Sequence, residues 1–219
     1  MNAMSTRAIG RAAVRDELGT IGFRCFVESG FDTVTFEDLA GHAGVSRSTF
    51  LRYFGSKEDV VLHVFDPLGE QMAQALRERP DSEGTWTALR HAVRPAVALI
   101  EDDADTGLAR LDLVWSTPAL WARLHEKQGA WRGGLAALLA EREGSSQLRP
   151  IAVQTLVMAA LGCVMVAYDG WVESGGAGRL GDLAEDAFAA LAPGTALQHQ
   201  GTDDAVATQR SGTPADGGQ

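Results

Sequence analysis

Apolar positions recur along most of this 219-residue chain at intervals of three and four, the spacing of one face of an α-helix. No stretch shows the strict alternation of a half-buried strand. Leu18, Ile21, Gly22, Cys25 and Phe26 form one stripe over residues 10–29, and Gly30 ends that helix. Short helices are expected at 36–43 and 47–53. Thr35 and Asp38 have the spacing of a capping box for the first, and Gly44 supplies the left-handed turn after it. Ser46 caps the second, where Phe50 and Phe54 lie four apart on one face. A helix capped by Ser56 starts at Lys57 and runs through Val60, Val61, Val64 and Phe65. Pro67 should bring a kink or a short break, with helix resuming through Met72 and Leu76 to Arg79, since proline removes a hydrogen bond and crowds the preceding turn.

From residue 84 the same periodicity predicts helices at 85–101, 105–115, 118–142, 150–173 and 179–191, separated by Asp, Pro, Gly and Ser breakers. The run from Ile151 to Tyr168 is apolar almost throughout and long enough for a membrane span. Asp169 and Glu173 follow closely and no aromatic or basic belt flanks it, so burial in a bundle core or between subunits is expected instead. After Pro193 the chain turns to Gly, Thr, Asp and Gln without aromatics, a composition expected to be disordered. The fold class is all-α. Residues 1–9 read as a flexible basic arm, 10–56 as a three-helix helix-turn-helix domain, 57–192 as a larger helical domain entered through a connecting helix at 57–79, and 193–219 as a tail.

The formal net charge of −10 argues against a nucleic-acid binder until it is divided along the chain. Residues 1–65 carry seven Arg and Lys against eight Asp and Glu; residues 66–219 carry twelve against twenty-one. The acidity therefore belongs to the C-terminal part, which leaves room for a local basic surface on the helix-turn-helix. Cys25 and Cys163 both sit in apolar helical surroundings and read as reduced, structural thiols. No apolar run follows Arg7, Arg11 and Arg15, so no secretory leader is expected. No zinc-ligand spacing, phosphate-binding glycine loop or nucleophile elbow occurs, so no metal, cofactor or catalytic site is expected. A small helical enzyme and a protein-binding helical adaptor are the alternatives to DNA binding.

In a helix-turn-helix the second helix enters the major groove by its N-terminal residues. That places Arg47 and Ser48 foremost, Arg matching the two acceptors of guanine. Thr49, Tyr53 and Arg52 are candidates for phosphate oxygens, as are Thr35, Ser46 and Lys57 at helix starts, although Thr35 and Ser46 also read simply as caps. Leu51 can touch a thymine methyl.

The run FVESGFDTVTFEDLAGHAGVSRSTFLRYFGSKEDVV resembles the DNA-binding domain of the TetR/AcrR family of bacterial transcriptional regulators, over roughly residues 12–65. Gly30-Phe31, Thr35, Asp38-Leu39-Ala40, Ala43 to Ser46, Thr49-Phe50, Tyr53-Phe54 and Ser56-Lys57 carry the likeness. Leu51 departs from it, because many members have a DNA-contacting Tyr there. The resemblance implies a cytoplasmic, all-helical homodimer, most often a repressor that releases operator DNA when a small-molecule effector binds the C-terminal ligand-binding and dimerisation domain. Pairing would run through the helices at about 150–173 and 179–191. The stretch LARLDLVWSTPALWARLHEKQGAWRGGLAALLAER is also similar to a branch assigned an acyl-CoA-like ligand. Trp86, Arg94, Asp112, Trp115, Trp121, His125, Trp131, Tyr168 and Trp171 are the candidate ligand contacts.

Overall fold

The computed structural model describes residues 6–142 and 149–192, so the expected tail at 193–219 lies outside the described residues. Every regular element among them is helical. α1 is Thr6–Ser29, α2 Phe36–His42, α3 Arg47–Tyr53 and α4 Lys57–Leu62, followed by a 3-10 turn at His63–Phe65. The body comprises α5 Leu68–Arg77, α6 Thr85–Ala92, α7 Arg94–Glu101, α8 Ala104–Ser116, α9 Pro118–Arg142, α10 Pro150–Glu173 and α11 Leu180–Ala190.

Two boundaries differ from expectation, and a third decides between two alternatives. Helix α1 already begins at Thr6, so Arg7 is helical rather than part of a loose arm. In the connecting segment 57–79, of the kink or short break expected at Pro67, the structure has the break. α4 stops at Leu62, the 3-10 turn follows, and Pro67 stands immediately ahead of α5. The proline acts as a starter, where its missing N–H is no loss. Residues 85–101 split at Val93, because Pro95 cannot donate to the preceding turn and sits at the start of α7 instead.

Helix α1 crosses α4 where glycines leave space. A Cβ on Gly19 would lie 2.1 Å from His63 Cε1, and one on Gly22 would lie 2.5 Å from Val60 Cγ1. These two residues weaken the helix intrinsically, yet they allow α4 to nest against it. Phe23 adds to the buried stripe of Leu18, Cys25 and Phe26. Gly44 adopts φ +65°, closing the α2–α3 turn in the left-handed region that glycine enters cheaply.

One buried apolar cluster runs without a break from Leu18 of α1 to Phe188 of α11. The headpiece α1–α4 is thus continuous with the body. Arg110 of α8 strengthens the join. Its guanidinium lies 3.9 Å from the Phe23 ring centroid and donates to the Val61 carbonyl. Burial pushes this Arg down to about 10. In the body, α5 packs on α9, α9 on α10 and α10 on α11. α10 is long and apolar enough to cross a membrane by length and composition. One face is buried through Val157, Ala160 and Val164, while Ile151, Met158 and Val166 remain 64%, 54% and 62% exposed. It is a bundle helix with one uncovered apolar side.

Candidate nucleic-acid interface and ligand cleft

Helix α3 is oriented by what it buries. Phe50 is fully buried, 5.5 Å from Phe54 and 6.1 Å from Phe36 of α2 by ring centroid. Removing each such ring from water stabilises by roughly 2–3 kcal/mol. The opposite side of α3 then faces outward, with Arg47, Ser48 and Arg52 exposed and Thr49, Leu51 and Tyr53 half-buried.

The start of α3 is held by Ser46. Its Oγ accepts from the Thr49 N–H at 3.1 Å and shares hydrogen bonds with the Ser48 and Thr49 hydroxyls at 3.0 and 2.9 Å. Thr35 holds α2 in the same way. Its N–H and hydroxyl donate to Asp38 Oδ2 at 2.9 and 2.7 Å, while its Oγ1 accepts from the Asp38 N–H at 3.3 Å. The donors of Thr35, its backbone N–H foremost, hold the Asp38 carboxyl below its usual range.

Lys57 is engaged within the protein. Its Nζ donates to the Phe31 and Val34 carbonyls at 2.6 and 3.1 Å and stands 4.7 Å from the Phe31 ring centroid. It staples the α1–α2 connection to α4. Of the nine DNA candidates, Thr35 and Ser46 serve as caps, and Lys57 as this staple. Arg47, Ser48 and Arg52 project from one surface. Two neighbours join them: Arg11, which the sequence already offers as a basic-arm residue able to reach phosphates or a minor groove, and Glu37, which it does not. Arg11 of α1 stands 5.7 Å from the Tyr53 ring centroid, with Arg52 at 5.6 Å, so two guanidinium groups gather at one ring. Glu37 of α2 pairs with Arg47, Oε1 to Nε at 2.6 Å. Helix α1 starting at Thr6 is what carries Arg11 there, and no residue spacing announces the Glu37 contact.

In the body, an apolar cleft opens between α5, α9 and α10. Leu68 and Met72 line it from α5, Leu124 and Trp131 from α9, and Leu161 and Val164 from α10; Gln128 and Tyr168 bring polar atoms. Its water-sized void is only about 10 Å³, scarcely room for one water. Gln128 Nε2 donates to Met165 Sδ, and the Tyr168 hydroxyl donates to the Ala96 carbonyl at 2.6 Å. Burial pushes the Tyr168 phenol up, so it stays a neutral donor.

Of the nine ligand candidates, this cleft gathers Trp131 and Tyr168. The others stand elsewhere. Trp86 donates to the Phe188 carbonyl at 3.2 Å, and Trp171 to the Gly178 carbonyl at 3.3 Å, each fastening α11 or its approach to the bundle. Trp115 donates to Asp169 and meets Trp121 at 4.7 Å, which in turn meets His125 at 4.5 Å. These rings pack on one another. Arg94 lies in an outer groove beside α11, and Asp112 is exposed. The missed cleft residues are ordinary Leu, Met and Val, which look like any other core positions in a sequence.

Helix α9 links the two regions. Its Arg123 donates to Asp59 of α4 at 3.3 and 3.2 Å, and its Lys127 donates to Asp66 beyond the 3-10 turn. Arg15 of α1 donates to the other Asp66 oxygen at 2.7 Å. Burial alone would raise the Asp66 carboxyl, but the bonds from Lys127 and Arg15 outweigh it and hold it below its usual range.

A helix-turn-helix set on α1, with a cation-bearing outer face and a helical body behind it, defines a DNA-binding regulator. Residues 22–64 match the family described as bacterial regulatory proteins, tetR family, and residues 83–196 match the MftR C-terminal domain of TetR-type proteins. The chain belongs to the TetR family of bacterial regulators, whose members are not enzymes. It is 28% identical over 166 residues to the protein assigned as mycofactocin biosynthesis transcriptional regulator MftR of Mycobacterium tuberculosis, covering 74% of this chain and 81% of that one. It is 32% identical over 136 residues to the transcriptional regulator TcmR of Streptomyces glaucescens, covering 59% of this chain and 60% of TcmR. The match thus spans three-fifths of TcmR's length. The fold resembles that of the regulator FadR of Bacillus subtilis, solved with stearoyl-CoA, at TM-score 0.58 and 19% identity over 82% of this chain and 98% of that one.

Proposed function

We propose that this protein is a homodimeric repressor that holds operator DNA through α3 and lets go when an apolar acyl chain, such as that of an acyl-CoA, enters the cleft between α5, α9 and α10. One observation carries the reading. Helix α9 lines the cleft with Leu124, Gln128 and Trp131, and the same helix grips Asp59 of α4 through Arg123 and Asp66, just beyond the 3-10 turn, through Lys127. The cleft is almost closed, so a ligand must spread its walls. Displacing α9 shifts the cations that hold α4, and with them the headpiece. A ligand can move this equilibrium only through such a difference in affinity between two arrangements.

Arg47 and Ser48 read base edges, Leu51 meets a thymine methyl, and Thr49, Arg52, Tyr53 and Arg11 position the headpiece on phosphates. Thr35 and Ser46 contribute as caps that present the helix starts. The uncovered side of α10, with Ile151, Met158 and Val166, receives a second copy, so that two α3 helices lie one DNA turn apart or a multiple of it. The site of action is the cytoplasm, where the chromosome lies. The B. subtilis and Thermus thermophilus FadR structures, solved with stearoyl-CoA and lauroyl-CoA, support this choice of ligand class.

The test begins by selecting a binding duplex from a random pool. Operator affinity is then measured by fluorescence anisotropy at fixed salt while lauroyl-CoA or stearoyl-CoA is added. Affinity should fall at least tenfold at saturating acyl-CoA and stay constant with free CoA. Binding that no acyl-CoA alters refutes the ligand class; failure to select any duplex refutes DNA binding itself.

A further inference from the structure

The structure assigns to Glu37 of α2 a role in base selection: its carboxylate positions Arg47 of α3 for reading DNA. The inference rests on the reading of Arg47 as a base contact. Glu37 and Asp38 are adjacent carboxylates in the first turn of α2, but they do different work. Asp38 is turned back into the cap with Thr35. Glu37 instead crosses the turn to Arg47, the first residue of α3, with Oε1 2.6 Å from Nε. Both side chains remain open to solvent, 66% and 56% exposed, on the outward side of the headpiece.

The Glu37 carboxylate holds the Arg47 side chain by charge, its oxygen lying beside Nε without an aligned hydrogen bond. The guanidinium it holds carries two parallel terminal donors, Nη1 and Nη2, that fit O6 and N7 of guanine. A long side chain that is already oriented loses less freedom when it binds. In water such an exposed pair is weak, but docking against DNA removes solvent and strengthens it. The same negative charge repels phosphates, so Glu37 also lowers affinity for DNA of any sequence. It thereby favours discrimination over tightness.

The experiment uses full-length protein and the selected operator, with each base pair varied in turn, in competition titrations at one salt concentration. Wild type, Glu37→Gln, Glu37→Ala, Arg47→Ala and the double Glu37→Ala/Arg47→Ala variant are compared. Arg47→Ala locates the base pair that Arg47 reads. At that pair Glu37→Ala should lose about five- to tenfold in discrimination, while unrelated duplex binds as tightly as to wild type or more tightly. Glu37→Gln should lose discrimination much as Glu37→Ala does, because the contact is an ion pair and the amide carries no charge. The double variant should discriminate no worse than Arg47→Ala alone. Full discrimination by Glu37→Ala overturns the proposal, and so does an equal further loss in the Arg47→Ala background. If Arg47→Ala changes no base preference, Arg47 is not the reader and the proposal falls with that reading. Should Glu37→Ala fail to fold, the isosteric Glu37→Gln decides: loss of discrimination at the base pair that Arg47 reads supports the proposal, and full discrimination overturns it.

Discussion

Lys127 of α9 and Arg15 of α1 meet on one carboxylate, that of Asp66. The three residues come from the body, the headpiece and the turn between them, so Asp66 is a shared anchor. Arg123 repeats the arrangement one helical turn earlier on α9, on Asp59. Two cations four residues apart thus hold both ends of the segment that starts with α4.

Removing that anchor should uncouple ligand from DNA more than it harms either alone. Asp66→Asn is expected to cost about 1–2 kcal/mol of stability by urea unfolding. In anisotropy titrations it should reduce the acyl-CoA effect on operator affinity several-fold, with ligand affinity of the free protein little changed. An unaltered acyl-CoA effect would assign coupling to other α9 contacts.

Gly19→Ala tests the crossing of α1 and α4. Alanine favours a helix by about 0.5–1 kcal/mol over glycine. Here the added Cβ would collide with the His63 ring, at 2.1 Å, so the net change should be destabilising by about 1–3 kcal/mol. The double variant Gly19→Ala/His63→Ala should recover part of that loss relative to His63→Ala. Additive losses in thermal melts would place the strain elsewhere.

His63 should make stability fall in mild acid. Burial pushes it below its ordinary value of 6.5, aided by the nearby Arg110 and Arg15 cations, while the Val60 carbonyl and Asp16 oppose the shift. Its Nδ1 lies 2.8 Å from that carbonyl, so the neutral ring donates there. The unfolded chain takes up a proton near 6.5 and the folded chain does not until lower pH. The stabilisation is therefore complete above 6.5 and lost as pH falls through the window down to the folded value. Melting temperatures from pH 7.5 to 5 should decline more steeply for wild type than for His63→Gln; parallel curves would refute the assignment.

Lys57→Met separates stapling from phosphate contact. It should lower stability by about 1–2 kcal/mol, because the Phe31 and Val34 carbonyls lose a charged donor. The salt dependence of operator binding should keep the wild-type slope. A slope reduced by about one would show that Lys57 meets a phosphate after all.

The headpiece was legible in the sequence because its signals are local. Capping pairs such as Thr35 with Asp38, the turn glycine Gly44, and Phe50 with Phe54 act within four residues of one another, and each appears in the structure at its expected place. The same local reasoning left a kink or a break open at Pro67 and failed at Pro95. It recognised a breaker in the first but not that either proline would start a helix. The cleft was read less well. Tryptophans drew attention as large aromatic rings, yet Trp86 and Trp171 fasten α11 or its approach, while the cleft sets plain Leu, Met and Val side chains beside Trp131 and Tyr168. Periodicity identifies a buried face but does not say whether it meets another helix tightly or borders a space.

By itself the sequence determined the helical class, the helix-turn-helix and the outward set of Arg47, Ser48 and Arg52, since helix periodicity and capping operate over one turn of chain. Only the tertiary structure decided which partners those residues have. Glu37 reaches Arg47 across a turn, Lys127 reaches Asp66 across 61 residues, and Lys57 is drawn onto backbone carbonyls. Such pairings depend on how helices cross, and the crossing of α1 and α4 is set by space left at Gly19 and Gly22, which becomes visible only when the ring of His63 and the methyl of Val60 occupy it.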